Sequence, residues 1–489
     1  MSLEKKFARG GVAIAVTQVA SQFCALGRNI IIARLISPAN FGIASIFLMT
    51  ISFLEMISNL SLDRLLVQSP DGDNEIFQRV AHFLQAMRGF LSCLIILVLA
   101  WPVSTLFSIP EAKGSFYALA LIPLFNGFIH LDLRRIERDL RFWPNASVEI
   151  ISHFTAFALA WPIGKWLGDY RAILYLLIAR SMILMVGTHI LADRKYEWSR
   201  NREYTKRFFT FGWPILIDGL LLFGILQGDR FILGSAKKIF DSTYNMSDVG
   251  LYSAAFMLAM MPAFMCLGVC SKLFLPILSR EQDSTSAFNS KVRLFSQGLT
   301  IVTLAIGTVM LLTGDKLLPL IYGKQYAVAG SLVSWLSIMW VIRILRVLPV
   351  TITMAKGNTK NLMYANIVRA VFLVGIVLIV YYKLNIIWIA IVGVIGELCA
   401  YWYSLFLNKH HFKIPISLFI RSDVFLVAGL TMVALLKITV LDNITGPLWF
   451  VWGTLIILTL PSLVTLFLPE IRQKLTSLIY KTYFNTVVP

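Results

Sequence analysis

The sequence predicts an all-α, polytopic membrane protein with about 14 transmembrane helices, read as two six-helix lobes plus two extra C-terminal helices. Three observations predict it. Hydrophobic residues make up 57% of the 489-residue chain, charged residues only 14%, and the mean hydropathy is +0.75. A soluble protein of this length would leave that much apolar surface without a suitable solvent. The apolar residues gather into runs of about 20, the length a helix needs to cross a bilayer. The breaks between the runs alternate between cation-rich and cation-poor.

In chain order the runs fall at 11–35, 41–66, 77–101, 116–133, 146–167, 173–191, 208–233, 250–277, 294–313, 328–354, 362–382, 386–407, 424–441 and 448–468. Pro38, Pro110, Pro144 and Pro415 sit in breaks, where proline punctuates helices. Pro123, Pro214, Pro262 and Pro349 fall within runs, where neighbouring helices can satisfy the freed carbonyls and a kink can serve as a hinge.

The cations set the orientation. One series of breaks holds Lys5, Lys6 and Arg9; Arg79 and Arg88; Arg134, Arg135, Arg138 and Arg141; Arg194 through Arg207; Arg280, Lys291 and Arg293; Lys356 and Lys360; Lys409 and Lys413; and Arg472, Lys474 and Lys481. The opposite series holds one or two each, such as Lys113, Lys165, Lys383 and Lys437. The positive-inside rule therefore places both termini of a multi-pass protein in the cytoplasm, with an even number of spans. The basic start, MSLEKKFARGG, leads into a run too long for a signal-peptide core, so the first helix is expected to stay as an anchor.

The chain also repeats itself. The stretch 208–280 has the plan of 10–68, with FGIAS at 41–45 answered by VGLYS at 249–253, and two homologous halves are the usual construction of a secondary transporter. The division this suggests is an N-terminal six-helix lobe over 1–192, a cytoplasmic linker over 193–207, a C-terminal six-helix lobe over 208–409 and two added helices over 410–468. The tail, 469–489, puts Ile471, Leu475, Leu478 and Ile479 on one helical face and is expected to lie along the cytoplasmic leaflet.

Several function classes are disfavoured. The net charge of +18 sits in short connections, a topology signal rather than a nucleic-acid groove, so no nucleic acid is expected as a partner. The five cysteines all fall in apolar runs, which predicts packed thiols, no disulfide framework, no metal site and no cofactor. No Gly-rich loop ending in Lys-Ser/Thr marks an ATP-driven pump. No connection approaches the ~50 residues of a small domain, which weighs against a polysaccharide polymerase, a ligase or a glycosyltransferase, and no catalytic residue is assigned.

What remains is charge inside the spans. Arg28, Arg180, Arg230, Arg343, Arg346 and Arg369 lie away from span ends, and each costs about 2.5–3.5 kcal/mol at a helix centre. Several of them together imply a polar cavity. Arg343 and Arg346 are three apart and point into one sector, while Gln18, Ser21, Gln22 and Asn29 form a polar stripe beside Arg28. An arginine stays charged and its planar fork grips two oxygens, which suits a diphosphate, so these arginines with Gln18 and Gln22 are the substrate-binding candidates. The other reading is that some snorkel or pair with buried acids. Glu55, Asp218, Asp229 and Glu397 are candidates for coupling transport to a proton or sodium ion, or else members of structural ion pairs. Asp218 and Asp229, eleven apart, return to nearly the same helix face. His130, His153 and His189 read as packed or interfacial.

Taken together, ARLISPANFGIAS (33–45), ERDLRF (137–142), FGWPILI (211–217), GDRFILG (228–234) followed by VGLYSAA, and AKGNTK (355–360) resemble the polysaccharide transporters, the Wzx-type flippases of lipid-linked oligosaccharides. That family belongs to the superfamily that also holds the multidrug and toxin exporters and the lipid II flippases. The resemblance runs over most of 1–409; the insertion-like KKIFDSTYNMSD (237–248) departs from it. It implies two lobes around a cationic cavity that carries an undecaprenyl-diphosphate-linked oligosaccharide between leaflets by alternating access, driven by an ion gradient. Arg28, Arg230 and Arg343 correspond to family arginines of the first, seventh and tenth spans. A polysaccharide polymerase and a chain-length regulator would be partners beside membrane lipids. A lipid II flippase and a multidrug exporter are the neighbouring alternatives; the second would favour acids over arginines in its cavity.

Overall fold

The computed structural model describes residues 3–441 and 447–473. Residues 474–489, and with them most of the predicted amphipathic tail, lie outside the described residues. Among the described residues, nineteen α-helices follow one another. They are α1 (Leu3–Leu35), α2 (Pro38–Ser58), α3 (Leu62–Gln68), α4 (Glu75–Leu106), α5 (Lys113–Leu119), α6 (Leu121–Gly127), α7 (Asp132–Arg138), α8 (Trp143–Ala158), α9 (Ala160–Leu167) and α10 (Arg171–Ile190). There follow α11 (Arg202–Phe240), α12 (Met246–Arg280), α13 (Thr285–Tyr322), α14 (Gly330–Ala355), α15 (Lys360–Val371), α16 (Leu373–Tyr381), α17 (Ile387–Phe412), α18 (Ser417–Thr439) and α19 (Pro447–Phe467). No strand occurs among the described residues.

Local chemistry explains where the helices begin. Ser37 caps α2 by accepting from the Asn40 amide at 3.2 Å, with Pro38 in the first turn. Asn74 caps α4 through the Ile76 amide at 2.8 Å, Asn201 caps α11 through the Tyr204 amide at 3.0 Å, and Ser284 caps α13. Gly168, at φ +66°, stops α9 in the left-handed region.

Among the described residues, 11 helices are long and apolar enough to cross a membrane, or 12 if α5–α7 forms one span bent by 43°. The bend falls between Gly127 and Asp132, inside the predicted run 116–133. α1 and α19 coincide with the first and last predicted runs. The polar stripe Gln18, Ser21, Gln22, Arg28 and Asn29 lowers the hydropathy of α1, which is nonetheless 33 residues long.

One correction concerns the connections. Arg88, grouped by the sequence with Arg79 in a polar break, lies about 20 Å into α4, which starts at Glu75. Within the segment 237–248, α11 runs to Phe240 and α12 begins at Met246, leaving five connecting residues.

The chain divides into two compact units, Met1–Ser253 with Val380–Lys383, and Ala254–Ile379 with Leu384–Pro489. In the first unit α1 packs on α8, and a Cβ added at Gly27 would come within 2.5 Å of the Phe157 ring. The two matching motifs meet there: a Cβ on Gly42 of FGIAS would overlap the Met246 carbonyl, and one on Gly250 of VGLYS would overlap the Pro38 carbonyl. The cation-rich end of this unit is tied together by Phe77, Leu131 and Phe208, buried with the leucines of α3. Arg138 also donates to the carbonyls of Leu66, Val67 and Ser69.

The connection at 191–201 is docked rather than loose. Asp132 is fully buried and accepts from Gln78 Nε2 (3.1 Å), Arg135 Nε (2.6 Å) and the amides of Asp193 (2.8 Å) and Arg194 (3.1 Å). Tyr196 inserts its ring among His82, His130 and His189, with centroids 4.5–5.4 Å away, and burial pushes its phenol up. The second unit is centred on α13, α14, α17 and α18, with Trp340 and Tyr322 wholly buried.

Candidate functional site

The second unit holds a cluster of buried charge. Arg343 and Arg346 come from α14, Arg369 from α15 and Glu397 from α17. Arg343 Nη1 lies 3.3 Å from Glu397 Oε1, Arg369 Nε 3.5 Å from the same oxygen, and Arg346 Nε 3.2 Å from Oε2. Gly393 and Gly396 make this possible: side chains there would press on Arg369 and its neighbours Met339 and Phe372. Arg343 also stands over the Trp340 ring at 5.1 Å, and Arg346 Nη1 donates to Asn366 Oδ1 at 3.0 Å.

Three arginines against one carboxylate leave two positive charges in excess. Glu397 is fully buried, Arg346 and Arg369 almost so, and Arg343 half-buried. Arg369 Nη1 has no hydrogen-bond partner among the described residues. Buried charge of one sign is costly unless an opposite charge joins it, so the arrangement is suited to receive an anion. Here the structure brings together four predicted residues, and the Arg343–Arg346 spacing was the only part of the cluster the sequence exposed.

The first unit holds the other candidates. Arg28 is buried, and its Nε and Nη2 donate to Asn29 Oδ1 at 3.2 and 3.0 Å. Arg28, Arg180 and His153 lie within electrostatic reach of one another, and Arg180 Nε finds no hydrogen-bond partner among the described residues. His153 was read as packed; its place beside two arginines shows in no sequence spacing, because α1, α8 and α10 supply one residue each.

Gln18 and Gln22 do not join Arg28 directly. With Ser21 they line a cavity of about 420 Å³ toward the cation-rich end, whose other walls include Arg134 and Glu137 of α7 and Asn145 and Glu149 of α8.

Glu55 on α2 is exposed; it accepts from Asn126 Nδ2 at 3.1 Å and lines a small recess of about 30 Å³. Gln85, Arg88 and Ser58 are among its other polar lining residues, with Arg88 Nε donating to Ser58 Oγ at 3.0 Å. Arg88 and Asn126 were missed, since a lone arginine next to a cation-rich break reads as topology.

The remaining predicted residues stand apart. Asp229 and Arg230 are both buried on α11. Asp229 Oδ1 accepts from the Arg230 amide at 2.8 Å and faces the guanidinium at 3.7 Å, while Oδ2 accepts from Tyr252 at 2.8 Å. Arg230 Nη2 donates to the Leu226 carbonyl. Asp218, on the same helix, is exposed.

The family model described as "Polysaccharide biosynthesis protein" matches residues 31–331, more than half of the chain. The chain is 23% identical over 303 residues to the amylovoran biosynthesis protein AmsL of Erwinia amylovora, covering 61% of this chain and 76% of that one. It is 23% identical over 313 residues to the succinoglycan biosynthesis transport protein ExoT of Rhizobium meliloti (strain 1021), covering 63% and 61%. In fold it is similar to the lipid II flippase MurJ in an inward closed conformation, with TM-score 0.68 and 14% identity over 94% of this chain and 98% of that one. An inward-facing multidrug resistance MATE family transporter of the MOP superfamily aligns with TM-score 0.59 and 12% identity, over 86% and 98%. The chain belongs to the polysaccharide biosynthesis protein family.

Proposed function

We propose that the chain is a flippase that carries undecaprenyl-diphosphate-linked oligosaccharide repeat units, for O-antigen, capsule or exopolysaccharide, across the bacterial inner membrane by alternating access. The observation that carries this reading is the buried cluster of Arg343, Arg346 and Arg369 around Glu397, with its two unbalanced positive charges. A diphosphate brings the missing negative charge, and the guanidinium forks match its oxygens. Within the first unit, Arg28 and Arg180 form a second pair of neighbouring cations. The AmsL, ExoT and MurJ likenesses support the same assignment, and no enzymatic step is part of it.

In this reading the halves 1–192 and 208–409 act as the two lobes, both termini are cytoplasmic, and the linker 193–207 joins the lobes on that side. A polysaccharide polymerase and a chain-length regulator receive the product. Glu397 organises its three arginines and yields them to the incoming diphosphate. Asp229, held by Arg230 and Tyr252, is a structural anion. Glu55, beside its small recess, and Asp218, both exposed, are left as the acids that couple a proton or sodium ion to transport.

Binding of undecaprenyl diphosphate to the purified protein in nanodiscs tests the reading. Arg28→Ala and Arg343→Ala should each weaken it at least tenfold; native affinity in both would defeat the assignment.

A further inference from the structure

The motif AKGNTK at 355–360 has no task in the flippase reading. In the structure it is the turn between α14 and α15. The Asn358 amide reaches back to the Thr353 carbonyl at 2.8 Å and the Gly357 amide to the Met354 carbonyl at 2.9 Å, with Gly357 at φ +77°. That pattern closes a helix on a left-handed glycine. Asn358 Oδ1 then accepts from the Lys360 amide at 2.9 Å, and Lys360 becomes the first residue of α15.

The two lysines of the motif are placed differently. Lys356 is engaged, its Nζ donating to the Gln282 carbonyl and standing 4.6 Å over the Phe288 ring. Lys360 is exposed and lines a cavity of about 170 Å³ with Thr353, Asn358, Asn361, Tyr364 and His411. No carboxylate lines it, and Lys409, His410 and Lys413 stand within two residues of His411 in the chain. Charge of one sign attracts an anion, and the ammonium, phenol, imidazole and carboxamides are hydrogen-bond donors for its oxygens. The volume is below the ~300–1,000 Å³ of sites that enclose a whole small molecule, so the cavity is sized for a single phosphate group.

The surface beside the cavity is apolar. Tyr364, Ile367 and Val371 follow Lys360 at i+4, i+7 and i+11, one stripe of α15, and are 38, 41 and 62% exposed. From Lys360 to Val371 the stripe runs about 16 Å, half of the ~30 Å hydrocarbon core. A phosphate-sized cationic cavity continued by an apolar stripe one leaflet long has the outline of a phospholipid. A free anion would leave the stripe without a partner.

We propose that this cavity binds the phosphate of an anionic phospholipid, such as phosphatidylglycerol, in the leaflet at the cation-rich end, with an acyl chain along Tyr364, Ile367 and Val371. Basic groups at that depth attract anionic lipids. Lys360 is the charged contact, and Tyr364 and His411 donate hydrogen bonds. Thr353 of α14, Lys360 of α15 and His411 of α17 all line the cavity, so the lipid holds together the three helices that carry the arginine cluster. The proposal does not depend on which cargo the protein carries.

Native mass spectrometry of the full chain in detergent tests it, with phosphatidylglycerol and phosphatidylcholine of the same acyl chains as probes. One phosphatidylglycerol should bind at least tenfold more tightly than phosphatidylcholine. Lys360→Gln should cut that preference at least fivefold and Lys360→Arg should keep it. Lys409→Gln, the same loss of charge on an exposed neighbour outside the cavity, should leave it within twofold. Ile367→Ser should weaken phosphatidylglycerol by removing a chain contact. Absence of a preference, or equal losses in Lys360→Gln and Lys409→Gln, would reduce the effect to diffuse attraction and overturn the site. Displacement of the lipid by millimolar inorganic phosphate would make the cavity a free-anion site. Tighter binding of undecaprenyl diphosphate than of phosphatidylglycerol, lost in Lys360→Gln, would give the cavity to the cargo; either result overturns the proposal. Failure of the flippase reading shows elsewhere, as unchanged behaviour of Arg28→Ala and Arg343→Ala.

Discussion

Arg369 and Arg343 both reach Glu397 Oε1, at 3.5 and 3.3 Å, so one carboxylate oxygen from α17 holds guanidinium groups from two other helices. Removing that carboxylate leaves three cations, two of them buried and one half-buried, without their shared counter-charge. Breaking a buried pair in this way costs about 3–5 kcal/mol. Glu397→Gln should therefore lower the thermal midpoint of the detergent-purified protein by several degrees, with inorganic pyrophosphate restoring part of the loss. An unchanged midpoint would mean that the cluster is compensated from elsewhere.

Tyr252 donates to Asp229 at 2.8 Å in a buried setting. Tyr252→Phe should destabilise by about 1–3 kcal/mol, the usual cost of leaving a buried acceptor short of a donor. If Asp229 is a structural anion, Asp229→Asn should lose stability yet keep the proton or sodium dependence of transport in proteoliposomes. Loss of that dependence would return Asp229 to the coupling site and displace Glu55.

Gly42 and Gly250 face each other where no Cβ has room. Gly42→Ala and Gly250→Ala should each cost about 1–3 kcal/mol through overpacking and reduce the yield of monodisperse protein. Gly268→Ala and Gly298→Ala, which meet open space, serve as controls and should behave as wild type. Equal behaviour of all four would show that the contact yields readily.

Asp132 gathers four donors, two of them amides of the connection at 193–194. Asp132→Ala should speed amide hydrogen exchange across 193–201 by at least tenfold while the membrane helices stay protected. Unchanged exchange would place the anchoring in the Tyr196 ring cluster instead.

The helices were legible because apolar runs of span length stand out between polar breaks, and a capping side chain marks the start of some of them, as at Ser37, Asn74 and Asn201. The start of α4 at Glu75 lies within two residues of the run at 77–101, but an arginine close to a cation-rich break reads as topology, and Arg88 instead lines a recess with Glu55 and Ser58. The i, i+3 spacing of Arg343 and Arg346 exposed half of the arginine cluster. Arg369 and Glu397 join it only through the packing of α14, α15 and α17, which no local pattern encodes. The matching motifs FGIAS and VGLYS suggested repetition, but that their glycines touch is a tertiary fact. The polar stretch after α10 was visible as a linker, whereas its docking depends on Asp132 and Tyr196 finding partners far away in sequence.

The most direct test of the central claim follows an undecaprenyl-diphosphate-linked oligosaccharide across proteoliposome membranes containing the full chain, by the accessibility of its sugars to an external lectin. Native protein should move the lipid, and Arg28→Ala and Arg343→Ala, inserted at equal levels, should slow it at least tenfold. Native rates in both variants would contradict the account.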